Sequence, residues 1–102
     1  MMQTILVRYE VKPGRDEENV AAIRAVFAAL ERERPDGVRY AAFRLADGVS
    51  FLHLAQIESA DGSNPLSALE AFRAFTSAVK ERCESPPVAT AVEPIGSYRF
   101  SP

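Results

Sequence analysis

"VRYAAFRLADGVSFLHLAQIE", residues 38–58, is a pair of alternating runs around Asp47 and Gly48. An Asp-Gly pair between two such runs signals a two-residue hairpin, because a type I′ turn needs positive φ at both central positions. If Ala46 faces Val49, counting sets the register. Arg44 faces Phe51, Ala42 faces His53 and Tyr40 faces Ala55, while Phe43 meets Leu52 and Ala41 meets Leu54 on the other side. Side chains alternate with period two, so a slip of one residue would exchange the two faces.

Working outward, "QTILVRYEV" (3–11) reads as a strand, with Ile5, Val7, Tyr9 and Val11 alternating against Leu6, Arg8 and Glu10. "KPGRDEEN" (12–19) supplies a turn and an acidic helix start, in which Asp16, Glu17 and Glu18 complement the helix N-terminus. A helix is expected from about Asp16 to Arg34, on the spacing of Val20, Ile23, Phe27 and Leu30 with Val26 beside them. "PDG" (35–37) stops it. After the hairpin, "SADGSNP" (59–65) is a loop in which Asn64 caps a second helix and Pro65 takes its first position. That helix is expected from about Leu66 to Arg82. Its buried stripe would be Leu66, Leu69, Phe72, Thr76, Val79 and Cys83, with Phe75 at the edge. "VATAVEPIGSYRF" (88–100) reads as a last strand interrupted at Pro94 and Gly96.

The order is βαββαβ over a single domain, residues 1–102. This is the ferredoxin-like α+β arrangement, a four-stranded antiparallel sheet with both helices on one face. Ranked by apolarity, the helix-covered side is expected to hold Ile5, Val7, Tyr9 and Val11 together with Ala41, Phe43, Leu45, Leu52 and Leu54. The uncovered side would carry Leu6, Arg8 and Glu10 with Tyr40, Ala42, Arg44, Phe51, His53, Ala55 and Ile57. Such a face is too apolar to stand in water. A homodimer through it is expected.

The totals exclude several classes. A chain of 102 residues, 47% hydrophobic, builds one core. Its net charge of -2 and its lack of a basic run argue against a nucleic-acid partner. One cysteine, Cys83, permits no internal disulfide and reads as a small core residue. There is no apolar run of about 18 residues and no leader pattern, so no membrane span is expected and a cytoplasmic location is. One histidine and one cysteine thirty positions apart make no metal-ligand pair. Neither a phosphate loop nor a nucleophile elbow is present.

"RYEVKPGRDEE" (8–18), "PDGVRYAAFRLADG" (35–48) and "ALEAFRAFTSAVKER" (68–82) together resemble the dimeric α+β barrel superfamily, and within it the antibiotic-biosynthesis-monooxygenase-like group. The resemblance implies two subunits packed sheet against sheet. It also implies a small aromatic substrate, of quinol or polyketide type, oxidised by dioxygen with no cofactor. Members of the superfamily that degrade haem use a helix-borne histidine with a tryptophan and an asparagine. This chain has no tryptophan, and Phe72 and Phe75 stand roughly where that histidine would be sought. The stress-responsive branch tends to place a histidine in the first strand, where this chain has Arg8.

His53, the only histidine, is the natural general base toward a phenol. Tyr40 and Arg44 share its expected face as further catalytic groups. Arg8, Phe51 and Phe72 are expected substrate contacts, an arginine being suited to holding a phenolate. The competing expectation is a non-catalytic homodimeric module, in which His53 and Tyr40 bond to each other, to Glu10 or to backbone and fill the interface.

Overall fold

In the computed structural model, which describes residues 2–100, the 38–58 stretch forms β2 (Val38–Arg44) and β3 (Ser50–Glu58). They are antiparallel, with Arg44 opposite Phe51, Ala42 opposite His53 and Tyr40 opposite Ala55, the register reached by counting. The turn itself differs from the type I′ expectation. Gly48 has φ 82°, but Asp47 is not among the residues with positive φ. A four-residue loop closes instead from the Leu45 N–H to the Ser50 carbonyl at 2.8 Å. The Asp47 carboxylate accepts the N–H groups of Val49 and Ser50 at 2.9 and 2.8 Å and the Ser50 hydroxyl at 2.6 Å. An aspartate makes this turn by bonding the backbone two and three residues on, without leaving the ordinary half of φ space.

β1 (Met2–Glu10) pairs antiparallel with β3 on one side and with β4 (Val88–Ala91) on the other, giving the order β2-β3-β1-β4. α1 (Asp16–Glu33) begins where the acidic run predicted and ends at Arg34, whose φ of 47° lets its N–H reach the Leu30 carbonyl at 2.7 Å. α2 (Glu70–Arg82) is shorter than expected. Asn64 does accept the N–H groups of Leu66 and Ser67, but it caps a separate turn over 65–68, and Leu69 is extended before α2 starts. The helical phase therefore cannot be carried across Leu69. Phe75 lies in the buried stripe with Val79, Thr76 is exposed, and Arg82 takes a buried position. β4 is also short. Val92 makes one further bond to Thr4, and the chain leaves the sheet before Pro94, which has no N–H to offer.

The face expectation holds for β1 and is reversed for β2 and β3. Val7 lies opposite His53 and Tyr9 opposite Phe51, and residues paired across strands share a face. The helices therefore cover Val7, Tyr9, Tyr40, Ala42, Phe51 and His53, which pack with Ile23, Val26, Phe75 and Val79. The uncovered face holds Leu6, Arg8, Ala41, Phe43, Leu52 and Leu54. On β3 the covered face is Phe51, His53, Ala55 and Ile57 and the uncovered one Leu52, Leu54 and Gln56, so each mixes apolar with polar residues and ranking by apolarity did not separate them. The aromatic side went under the helices because its polar atoms find partners there.

Gly37 shows where sterics fix a chain crossing. Its φ is 78°, and a Cβ there would collide with the Glu58 carbonyl oxygen, while the Glu58 N–H bonds the Gly37 carbonyl at 2.8 Å. Gly48 also has positive φ but nothing within contact range of such a Cβ. Gly48→Ala should cost about 1 kcal/mol from backbone conformation alone, and Gly37→Ala at least twice that. Urea denaturation of the two variants compares them directly. Equal losses would mean the Glu58 contact relaxes freely.

Candidate functional site: a histidine between two tyrosines

His53 sits in the middle of β3, directly opposite Val7 on β1 and Ala42 on β2. Both are small enough to leave room beside the imidazole. Tyr9 and Tyr40 lie two residues further along those neighbouring strands, at the diagonal positions that long aromatic side chains can reach. The Tyr9 hydroxyl lies 2.7 Å from Nε2 of His53, and the Tyr40 hydroxyl 2.6 Å from Nδ1. The imidazole stacks on Phe75 of α2 with ring centres 5.4 Å apart. Phe72 meets Tyr40 edge-on at 6.0 Å.

The set continues inward. Asn19 of α1, fully buried, donates from Nδ2 to the Tyr9 hydroxyl at 2.9 Å. Its Oδ1 accepts Nε–H of Arg82 at 3.0 Å. Arg82 is 4% exposed and its guanidinium lies over the Phe75 ring at 5.6 Å. Side chains from β1, β2, β3, α1 and α2 thus form one line, Tyr40–His53–Tyr9–Asn19–Arg82, buried except at half-buried Tyr40.

Burial governs their protonation. Desolvation pushes the His53 pKa down to about 4, so the ring is neutral around pH 7. It pushes Tyr9 up to about 12, against a smaller lowering by the Asn19 hydrogen bond. Tyr40 is also raised, by burial first and by nearby Tyr9 second. The Cys83 thiol is raised by burial and is packed in the core beside Val11.

Between the covered sheet face and α2 lies a cavity of about 440 Å³. Tyr9, Tyr40 and His53 contribute its polar wall, and Val7, Phe72 and Phe75 are among its apolar residues. Asn64 and Lys80 also border it. Tyr40 in addition borders a smaller cavity of about 280 Å³ against Phe27, Leu30 and Arg34. The larger space is of a size that holds small aromatic ligands. Among the described residues, no group of three or more His, Cys, Asp or Glu side chains could hold a metal ion, and no helix is long and apolar enough to cross a membrane.

Of the residues singled out in the sequence, the fold gathers His53, Tyr40 and Phe72 at this cavity. It does not bring the others there. Arg44 lies at the end of β2, held by Asp16 at 3.5 Å and Glu17 at 3.1 Å. Arg8 is exposed on the opposite face, since it pairs with Leu52, which the pleat turns to the other side of the sheet from His53. Phe51 is 1% exposed and stacks on Tyr9 at 5.5 Å, one layer away from the space. The residues that sequence reasoning missed are Tyr9, Asn19 and Arg82. Asn19 stands four before Ile23, and Arg82 seven after Phe75. Each is a polar residue in phase with an apolar stripe, and that was the available signal.

No family model matches the chain, and a search of curated proteins finds no match. Solved structures do match. A candidate antibiotic biosynthesis monooxygenase from Nitrosomonas europaea superposes with a TM-score of 0.75 at 16% identity, covering 92% of this chain and 90% of that one. One from Caulobacter crescentus CB15 gives 0.75 at 18%, covering 93% and 91%. SnoaB from Streptomyces nogalater, a cofactor-independent oxygenase solved in a mutant form, gives 0.71 at 17%, covering 96% and 97%. The chain shares the fold of these structures. At these identities the shared property is the ferredoxin-like α+β architecture, and one architecture can carry many different site chemistries.

The depressed His53 pKa has a consequence for stability. The unfolded chain binds a proton at His53 below about pH 6.5, and the folded chain only below about 4. The contribution is therefore complete above pH 6.5, is lost as pH falls toward 4, and changes no further below that. Its slope should approach about 1.4 kcal/mol per pH unit between about pH 6 and 4.5. His53→Gln, which can still bond both tyrosines, should lack this part of the slope in urea titrations at stepped pH. Identical slopes would mean the ring is charged in the folded chain.

Proposed function

We propose that this chain is a cofactor-independent, monooxygenase-like enzyme that holds a small aromatic substrate, of quinol or polyketide type, beneath α2. The observation that carries the reading is the apolar cavity of about 440 Å³ with a hydrogen-bonded Tyr9–His53–Tyr40 set on its wall. In such a reaction the substrate loses a proton and its electron-rich anion reduces dioxygen. One oxygen atom enters the ring system and the other leaves as water, so the substrate is the only reductant required. Tyr40 and His53 are the proposed catalytic pair, Tyr40 donating to the substrate oxygen as its anion forms and His53 holding the Tyr40 oxygen from behind, while the substrate proton passes to water. Phe72 is the proposed stacking surface. Neither Arg8 nor Arg44 stands where it could hold a phenolate, so anion stabilisation falls to the Tyr40 hydroxyl.

One observation favours a second reading, that of a small-molecule-binding module without catalysis. Both imidazole nitrogens are already occupied by tyrosine hydroxyls, an arrangement that also serves a purely structural histidine. Oxygen uptake with naphthohydroquinone separates the two. The enzyme reading expects saturable, protein-dependent uptake, reduced about a hundredfold in His53→Gln and at least tenfold in Tyr40→Phe. Saturable binding of the quinol with no oxygen consumed would establish the module instead.

The homodimer belongs to the same proposal. The uncovered face presents Leu6, Ala41, Leu52 and Leu54, with Phe43 exposed at 43%. Beyond β4, Ile95 and Tyr98 are 89% and 82% exposed, and Phe100 comes back within 6.3 Å of Phe43. A second copy laid sheet to sheet would cover this surface. Sedimentation equilibrium should give twice the chain mass for the wild type and the single mass for Leu54→Lys. A wild-type monomer at high concentration would refute the pairing.

A further inference from the structure

Arginine has donors and no acceptor, and this fact orders the whole buried line. Because Arg82 Nε–H meets Asn19, the atom facing it must be the amide oxygen, and the NH₂ group must face Tyr9. The Tyr9 oxygen therefore accepts from Asn19, and its one hydrogen is left for Nε2 of His53. A neutral imidazole carries one hydrogen. With Nε2 accepting, that hydrogen is on Nδ1 and is donated to the Tyr40 oxygen. The Tyr40 hydrogen then has nowhere to go along the line and points into the space that Tyr40 borders.

We propose that Arg82 and Asn19 are positioning residues that fix the direction of this hydrogen-bond chain, so that Tyr40 meets the cavity as a donor and the bound ligand must offer it an oxygen acceptor. The ligand half of this statement rests on the reading that the cavity is the binding site. The positioning half rests on the buried bonds alone. Reversing the chain beyond Tyr9 would turn the Tyr40 hydrogen back to Nδ1 and give Tyr9 two incoming donors, Asn19 and His53, leaving the Tyr9 hydrogen to face the cavity; Tyr9 is 5% exposed and Tyr40 half-buried, which favours Tyr40 as the end that faces it. Chains of this kind polarise along their length, so a cation at the Arg82 end strengthens the pull of a donor at the Tyr40 end.

The chain has one histidine, so its ring nitrogens give an unambiguous ¹⁵N spectrum. Near pH 7 the wild type should show a protonated, pyrrole-like Nδ1 and a pyridine-like Nε2. Arg82→Met and Asn19→Leu should shift the tautomer toward a mixture, while Arg82→Lys, also donor-only, should keep it. Circular dichroism would confirm that each variant is folded. A wild-type Nε2–H tautomer, or an unchanged tautomer in folded Arg82→Met and Asn19→Leu, would overturn the positioning roles. For the ligand half, fluorenone should bind about fivefold tighter than fluorene, the worth of one net hydrogen bond, and Tyr40→Phe should abolish that preference. Equal binding of the two probes to the wild type overturns the acceptor requirement. Binding of neither counts against the cavity reading on which that requirement rests, and the tautomer then decides the positioning roles by itself.

Discussion

Three of the four strands are tied to one another by side chains as well as by their ladders, and the tie is the imidazole of His53. Each ring nitrogen is held by a tyrosine from a different neighbouring strand, at 2.7 and 2.6 Å. A histidine buried without partners would cost several kcal/mol in unmet hydrogen bonds, or would drag water into the core. Satisfied on both sides, it can lie beneath the helices and stack on Phe75 as an aromatic core residue would. The placement of β2 and β3 depends on this. With His53 inward, Phe51, Ala55 and Ile57 follow it, and Leu52 and Leu54 are turned outward by the pleat. The uncovered leucine face is the complement of a satisfied histidine.

The same arrangement explains which parts of the molecule were legible in its sequence. The hairpin register was, because period-two counting from a turn does not depend on turn type, and a four-residue aspartate-bonded loop preserves it. The α1 boundaries were, because an acidic first turn and Pro35 mark them locally. The face of β3 was not. Both sides mix apolar and polar residues, His53 on one and Gln56 on the other, and whether the histidine is tolerated inside depends on Tyr9, a residue forty-four positions away. The α2 stripe was misread for a different reason. A cap at Asn64 is a true local signal, but it belongs to a turn that ends at an extended Leu69. Periodicity extrapolated through such a break puts Thr76 where Phe75 belongs.

The candidate site divides along the same line. His53, Tyr40 and Phe72 could be chosen because their residue types carry chemistry and the strand register joins two of them. Arg8 and Arg44 were chosen for their charge, and charge does not say which face or which end of a strand a residue occupies. Arg44 found the acidic first turn of α1, a nearer and better-hydrated partner than a cavity wall. The cation that does join the site, Arg82, came from a helix position that apolar spacing would have assigned to a core residue.

A buried arginine without a carboxylate is an expensive choice for a domain of 102 residues. Hydrophobic replacements of buried ion pairs are often neutral or stabilising, so stability alone gives little reason to keep one. Arg82 is accommodated by the Asn19 oxygen and the face of Phe75, while Nη2 finds no hydrogen-bond partner among the described residues. The C-terminal turn of α2 eases the cost, since the helix dipole favours a cation there. What the arginine supplies that leucine could not is direction. A methyl group leaves Asn19 free to turn over, and with it both tyrosine hydroxyls and the imidazole tautomer. A group that can only donate fixes Asn19 and makes Tyr9 an acceptor, and the deeper burial of Tyr9 leaves the outward hydrogen to Tyr40. A core needs only that every buried hydrogen bond be made, in either sense. A wall that must present a donor, and not an acceptor, to a ligand needs the sense to be chosen, and a buried cation chooses it.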